Sequence, residues 1–208
     1  MFEVIAIVGE SCSGKTTISK SLADIINGNE IISLTSRPPR DGEVNGEDYW
    51  YVTEEVIDIL NDNGELIEYT IHNGNKYALA KSDFYVNQSN IVVCNLDGVD
   101  NLIDYFGEDN IILIRVHATE NTRRERALIR DLVEPNIMKK YGIFGLVEYF
   151  EKIMKRFTFD REMFGEFENR FYNRDFKALI EISNDDNFIE TMETLLEAYN
   201  FIEKGEVI

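Results

Sequence analysis

Apolar positions along the chain fall into two kinds of run. Short, nearly continuous stretches rich in β-branched residues occur at Phe2–Val8, Asn29–Leu34, Ile91–Leu96, Ile111–Val116 and Leu179–Ser183, and each predicts a strand. A strand that is apolar on both faces belongs inside a sheet covered on both sides, so the alternation with helical segments predicts a parallel sheet flanked by helices. Residues Thr16 to Ile26 place Ile18, Leu22, Ile25 and Ile26 on one helical face. A second helix is expected to start from Thr119 as N-cap and to run through Arg130. Between Arg37 and Tyr85 the pattern shortens and is broken by Gly42, Gly46, Gly64 and Gly74, which predicts a small antiparallel insertion; residues 144–175 read as long helical segments. There is no internal repeat and no low-complexity linker.

Composition narrows the class. With 208 residues, 44% hydrophobic and 29% charged, the chain has the length of one α/β domain and enough apolar surface for a core. No apolar run approaches the ~20 residues that cross a bilayer. Met1-Phe2-Glu3 lacks a basic region ahead of the apolar stretch, and two cysteines, Cys12 and Cys94, make no disulfide framework; a cytoplasmic chain is the expectation. The formal net charge of -18 argues against nucleic acid or an anionic membrane as partner. Residues 1–114 carry six Lys and Arg against twenty Asp and Glu, whereas residues 115–177 hold fourteen of the twenty-one cations. The few cations of the first half therefore stand in short motifs where each can serve a local anion, while the later ones read equally well as solvated helix faces.

The strongest motif is Gly9-Glu10-Ser11-Cys12-Ser13-Gly14-Lys15-Thr16, a complete G-x-x-x-x-G-K-[ST] phosphate loop between a predicted strand and a predicted helix. In that setting backbone N–H groups and the helix N-terminus converge on phosphate oxygens. Gly9, Ser11, Cys12, Ser13, Gly14, Lys15, Thr16 and Thr17 are the candidate residues for binding a nucleoside triphosphate, which the family resemblance below makes ATP. Lys15 reaches the β and γ phosphates, and the Thr16 hydroxyl is the candidate ligand for Mg²⁺. Cys12 reads as a small residue tolerated at a variable loop position.

A second constellation points to what receives the phosphate. Thr35-Ser36-Arg37-Pro38-Pro39-Arg40-Asp41-Gly42-Glu43-Val44-Asn45-Gly46-Glu47-Asp48-Tyr49 holds two arginines three apart, stiffened by a proline pair, and two guanidinium forks suit a dianionic phosphate. This stretch resembles the monophosphate-binding signature of guanylate kinases. The resemblance continues through Gly64-Glu65-Leu66-Ile67-Glu68-Tyr69 and Asn73-Gly74-Asn75-Lys76-Tyr77 and can be followed to Ser183-Asn184-Asp185-Asp186, weakest between about 131 and 175.

The resemblance implies an α/β fold with a P-loop NTPase core and parallel sheet flanked by helices, a small antiparallel NMP-binding insertion and a helical lid. One domain, 1–208, would then comprise a core of 1–34, 86–118 and 176–208, an insertion of 35–85 and a lid region of 119–175. It further implies that Arg37, Arg40, Tyr49 and Tyr77 hold the acceptor phosphate and that Ser33 and Glu68 hydrogen-bond guanine, whose N1–H and exocyclic amine form a donor pair suited to a carboxylate. Asp97 matches a base-contacting or Mg²⁺-organising aspartate; Asp97-Gly98 also reads as an ordinary turn. Leu79 stands where the family has a hydroxyl residue that touches the base, and Ala78 where it has glycine.

Arg123, Arg126 and Arg130 are spaced to share a helix face. Arg126 and Arg130 match the lid arginines of the family, Arg156 resembles a further lid arginine, and Asn184 matches the adenine-side asparagine. Solvated salt bridges to Glu120, Glu125 and Asp131 are the alternative for these arginines. His72 lines the acceptor pocket or lies at the surface, and neither His72 nor His117 has metal-site spacing. The expected activity is transfer of the γ-phosphate of Mg·ATP to GMP or dGMP. Lys15, Arg40, Arg126, Arg130 and Arg156 would be the catalytic cations. Two alternatives remain: the same fold acting on a modified or pyrimidine deoxynucleoside monophosphate, and a non-catalytic interaction module.

Overall fold

The computed structural model describes residues 3–40, 42–72, 74–132, 137–185 and 187–204, with His72 and residues 131, 132 and 137–146 described at the backbone alone. The elements in chain order are β1 (Glu3–Val8), α1 (Lys15–Ile26), β2 (Asn29–Ile31), β3 (Leu34–Thr35), β4 (Trp50–Tyr51), α2 (Glu54–Asp62), β5 (Leu66–His72), β6 (Asn75–Ala80), β7 (Ser89–Val93), α3 (Leu96–Phe106), β8 (Ile111–His117), α4 (Glu120–Leu132), α5 (Ile137–Gly165), α6 (Phe167–Phe171), β9 (Ala178–Ser183) and α7 (Phe188–Glu203). Among the described residues no helix is long and apolar enough to cross a membrane.

The larger sheet has strand order β2-β7-β1-β8-β9, and β7 runs parallel to both β1 and β2. From Val4 to Val8 every residue of β1 is buried, as is every residue of β8 from Ile111 to Val116, which accounts for their near-continuous apolar sequences. The architecture is the expected α/β arrangement of a parallel sheet with helices. By compactness the chain divides into two units. One comprises Met1–Ile7, Ser19–Leu113 and Asp175–Ala178, and the other Val8–Ile18, Ile114–Arg174 and Leu179–Ile208.

In the first unit a smaller sheet, β4-β3-β6-β5, lies over a core of Leu34, Ile57, Ala78 and Ala80 packed with Val52, Leu60, Leu66 and Tyr69. Three features differ from expectation. The run Asn29–Leu34 is not one strand: β2 joins the larger sheet and β3 the smaller, so the chain changes sheets at Ile32-Ser33. The insertion is not wholly antiparallel, since β3 pairs parallel to β4, and it contains helix α2, whose first turn carries Glu54 and Glu55 at the positive end of the helix dipole. Finally, β7 ends at Val93, and Leu96 belongs to helix α3 rather than to a strand. Asn95 caps α3 by accepting from the Gly98 amide at 2.7 Å, so Asn95 to Gly98 forms a helix start and not an isolated Asp-Gly turn.

In the second unit, α4 begins after Thr119, whose hydroxyl accepts from the Thr122 amide at 3.3 Å. The long α5 buries Phe157 and Phe164, and α6 buries Phe167 and Phe171.

Candidate functional site

The phosphate loop lies wholly in the second unit, where α4, α5 and the segment after β9 meet it. Gly14 has φ +101, and a Cβ there would stand 2.2 Å from Asn184 Nδ2, so only glycine fits. Buried Asn184 donates to the Ser13 carbonyl at 2.8 Å, and Arg126 donates to the carbonyls of Ser13 at 3.2 Å and Asn184 at 2.6 Å. Lys15 curls back and donates to the carbonyls of Gly9 at 2.7 Å and Glu10 at 2.9 Å. Burial brings the Lys15 ammonium down to about 8, with Asp160, Cys12 and Glu10 opposing that fall and Arg156 adding to it. Among the described residues the buried Ser13 hydroxyl has no hydrogen-bond partner. Thr16 and Thr17 are exposed at the start of α1. Cys12 adopts φ +63, a left-handed conformation that costs a non-glycine residue about 1–2 kcal/mol.

Three further residues grip Ser11. Arg156 Nε donates to Ser11 Oγ at 2.6 Å, the Ser11 amide donates to Asp160 Oδ2 at 2.9 Å, and Arg123 Nη1 lies 3.6 Å from the same Asp160 oxygen. Of the predicted lid cations, Arg126 and Arg156 thus reach the loop, whereas Arg130 is exposed on α4. Glu120 takes Arg124 and Arg161 as its partners, leaving Arg123 and Arg126 for the loop. His117 is 2.6 Å from Glu181, which also pairs with Arg115 at 3.4 Å and Tyr172, a cluster of β8 and β9 apart from the loop residues.

A second set of candidate residues belongs to the first unit. Arg37 Nη2 donates to Glu43 Oε1 at 3.0 Å, with Nη1 2.9 Å from Oε2, and its guanidinium stacks 5.4 Å from the Tyr49 ring centroid and 5.8 Å from that of Tyr51. The Arg40 amide and the Tyr51 hydroxyl each donate to Glu43 Oε2 at 2.7 Å. Burial pushes the Glu43 carboxyl upward, but the hydrogen bonds from Arg37, the Arg40 amide and Tyr51 outweigh it and hold the group down at about 2. Tyr77 hydrogen-bonds Arg37 and meets Tyr49 edge-on at 5.9 Å. The structure brings together Arg37, Arg40, Tyr49 and Tyr77, the four residues that the resemblance grouped, and adds Glu43 and Tyr51, which the sequence reading left out. Asp41 and Asn73 lie outside the described residues, as do Asp186 and the side chain of His72.

Glu68 stands beside a bulge in β5, 7% exposed, and among the described residues no hydrogen bond reaches its carboxylate. Burial, with a smaller push from the charge of Asp97, raises its carboxyl to about 7. A Cβ on Gly98 would stand 2.9 Å from Glu68 Oε2 and 3.0 Å from Oε1, so the glycine leaves the space that the carboxylate fills. Asp97 is exposed in the first turn of α3, and its charge adds to the upward push on the Glu68 carboxyl. Leu79, opposite Glu68 in the hairpin register, is buried in the core, as is Ala78. Ser33 is half-buried in the link between β2 and β3, where its carbonyl accepts from the Trp50 amide at 2.9 Å.

No group of three or more His, Cys, Asp or Glu that could hold a metal occurs among the described residues. Mg²⁺ needs no such cage, because it keeps waters and substrate phosphate oxygens as most of its ligands. An exposed Thr16 hydroxyl beside Lys15 fits that requirement.

Comparison with known proteins assigns the family. The protein-family model for Guanylate kinase matches residues 1–126. The guanylate kinase of Ehrlichia chaffeensis is 33% identical over 144 residues, covering 66% of this chain and 68% of the relative. That of Homo sapiens is 31% identical over 167 residues, covering 69% and 82%. The crystal structure of guanylate kinase from Anaplasma phagocytophilum shares the fold with a TM-score of 0.61 at 21% identity, over 100% of this chain and 88% of the other. A match across more than half of the chain, joined by relatives above 30% identity, decides the assignment: the chain belongs to the guanylate kinase family of enzymes.

Proposed function

We propose that this enzyme transfers the γ-phosphoryl group of Mg·ATP to GMP or dGMP, giving ADP and GDP or dGDP. The observation that supports it best is Glu68, a buried carboxylate without a hydrogen-bond partner, in a hairpin whose neighbour β3 leads into the Arg37–Arg40 anion-binding cluster. Such a carboxylate suits the N1–H and amine donors of guanine, while Arg37, Arg40, Tyr49 and Tyr77 suit the phosphate dianion. Residues 35–85 would then be the acceptor-binding insertion and 119–175 the lid, in a chain expected to be cytoplasmic.

The attacking acceptor oxygen is already anionic, so the reaction needs positioning and charge stabilisation rather than a strong base. Gly9 to Thr17 cradle the ATP phosphates with backbone N–H groups, and Lys15 leaves its own loop carbonyls to meet the β and γ oxygens. Arg126 and Arg156, already at the loop, offset charge on the transferring group, with Arg40 and Arg130 as the further cations of that set; Asn184 serves the adenine side. Thr16 would hold Mg²⁺, which would supply neutralisation of the phosphate charge. Lys15→Ala is expected to abolish turnover while GMP binding, measured by calorimetry without ATP, stays within about threefold of wild type. Normal turnover in that variant contradicts the assignment of the phosphate loop.

A further inference from the structure

Two residues one turn apart on α5 hold Ser11 by different atoms: Arg156 by its hydroxyl and Asp160 by its backbone amide. Arg123 of α4 completes the arrangement, 3.6 Å from Asp160 and donating to the Ser11 carbonyl at 3.5 Å. Asp160 and Arg123 are each only 5% exposed. On α5 the aspartate interrupts an apolar stripe whose neighbours one turn away, Phe157 and Phe164, are both buried. A carboxylate in such a place is costly unless paired and hydrogen-bonded, and phosphoryl transfer as derived above gives it no task. The residue after Ser11 supplies one. Cys12 holds a positive φ without being glycine, a conformation that persists only where the surroundings over-determine it, and Ser11, the residue leading into it, is held by Asp160 at its amide and by Arg123 at its carbonyl.

We propose that Asp160 is a positioning residue of the nucleotide site: through the Ser11 amide, and with Arg123 as its counter-ion, it holds the phosphate loop in the shape that receives the polyphosphate chain. This rests on the nucleotide reading of the loop. The competing explanation is a purely structural ion pair between α4 and α5.

Calorimetric titration with Mg·ADP, and separately with GMP, distinguishes the two. Asp160→Ala is expected to weaken Mg·ADP about tenfold or more and to leave GMP within about twofold; Asp160→Asn, which keeps an acceptor oxygen for the Ser11 amide, is expected to stay within about threefold for both. In Arg123→Met/Asp160→Ala the stranded buried cation is gone, so the thermal midpoint should recover toward wild type while Mg·ADP affinity stays low. Recovery of affinity along with stability, or an Asp160→Ala affinity within about twofold of wild type, overturns the proposal. Should Asp160→Ala alone not fold, the double variant decides by the same comparison. Failure of the unaltered protein to bind Mg·ADP would instead contradict the nucleotide reading.

Discussion

Glu43 and Arg37 are joined fork to fork, with Nη2 3.0 Å from Oε1 and Nη1 2.9 Å from Oε2, and the same carboxylate takes the Arg40 amide and the Tyr51 hydroxyl. A single acid thus aims one of the two arginines proposed to hold the acceptor phosphate and ties down the loop carrying the other. Glu43→Gln loses the charge-assisted half of these bonds. It is expected to raise the KM for GMP about tenfold and leave that for ATP unchanged. A lower KM for GMP would show instead that Glu43 competes with the acceptor phosphate.

In its proposed role, Glu68 makes acceptor binding depend on pH. Its folded-state carboxyl titrates near 7, well above the usual 4.5, and guanine needs it ionised. Apparent GMP affinity scales with the ionised fraction, so it should fall about tenfold from pH 8 to pH 6. The acceptor phosphate also titrates near 6; Glu68→Gln separates the two, because its remaining pH dependence belongs to the phosphate alone. Linkage has the opposite sign for the free protein. The folded state holds this proton more tightly than the unfolded chain, so ionising Glu68 removes stability as pH rises from about 4.5 through about 7. Identical pH profiles for wild type and Glu68→Gln would contradict both statements.

Gly98→Ala places a methyl 2.9 Å from Glu68 Oε2 and 2.8 Å from Cys94 Cβ. Alanine is the better helix former by about 1 kcal/mol, which offsets part of the crowding in overall stability. The carboxylate proposed to read guanine has no such compensation. Steady-state kinetics should show kcat/KM for GMP reduced at least about tenfold with the KM for ATP little changed; an equal loss for both nucleotides would mean general unfolding.

Cys12→Gly removes the left-handed strain of the phosphate loop. A gain of about 1 kcal/mol corresponds to about 2–4 °C in Tm for a chain of this size. Differential scanning calorimetry reads it directly, and a fall in Tm would show that the thiol contributes more by packing than its conformation costs.

The parts of the site legible in sequence were those that chain neighbours determine. The phosphate loop is contiguous, and its flanking strand and helix carry clean apolar periods, so Gly9 to Thr17 could be placed from letters alone. Arg37, Arg40 and Tyr49 came from one motif. What escaped depends on contacts distant in the chain: Ser11 meets Asp160 from 149 residues away. One local signal did exist, a lone aspartate in the stripe Phe157, Asp160, Phe164, Phe167, where every partner is apolar and buried. Glu43 carried no such signal, because Asp41, Glu47 and Asp48 share the stretch between Arg40 and Tyr49 with it. Helix α3 was missed because Asp97-Gly98 has turn composition, and only the cap from Asn95 to the Gly98 amide shows the chain turning helical there. The break between β2 and β3 has no sequence mark at all, since Ile31, Ile32 and Leu34 continue one apolar run while the two strands join different sheets.

The central claim is that a guanine nucleotide is the acceptor. ADP release from Mg·ATP, measured against a panel of ribo- and deoxynucleoside monophosphates at pH 8, tests it most directly. The account predicts turnover with GMP and dGMP at least about a hundredfold above AMP, CMP, UMP and dTMP. Comparable turnover with another base, or none with GMP, would contradict it.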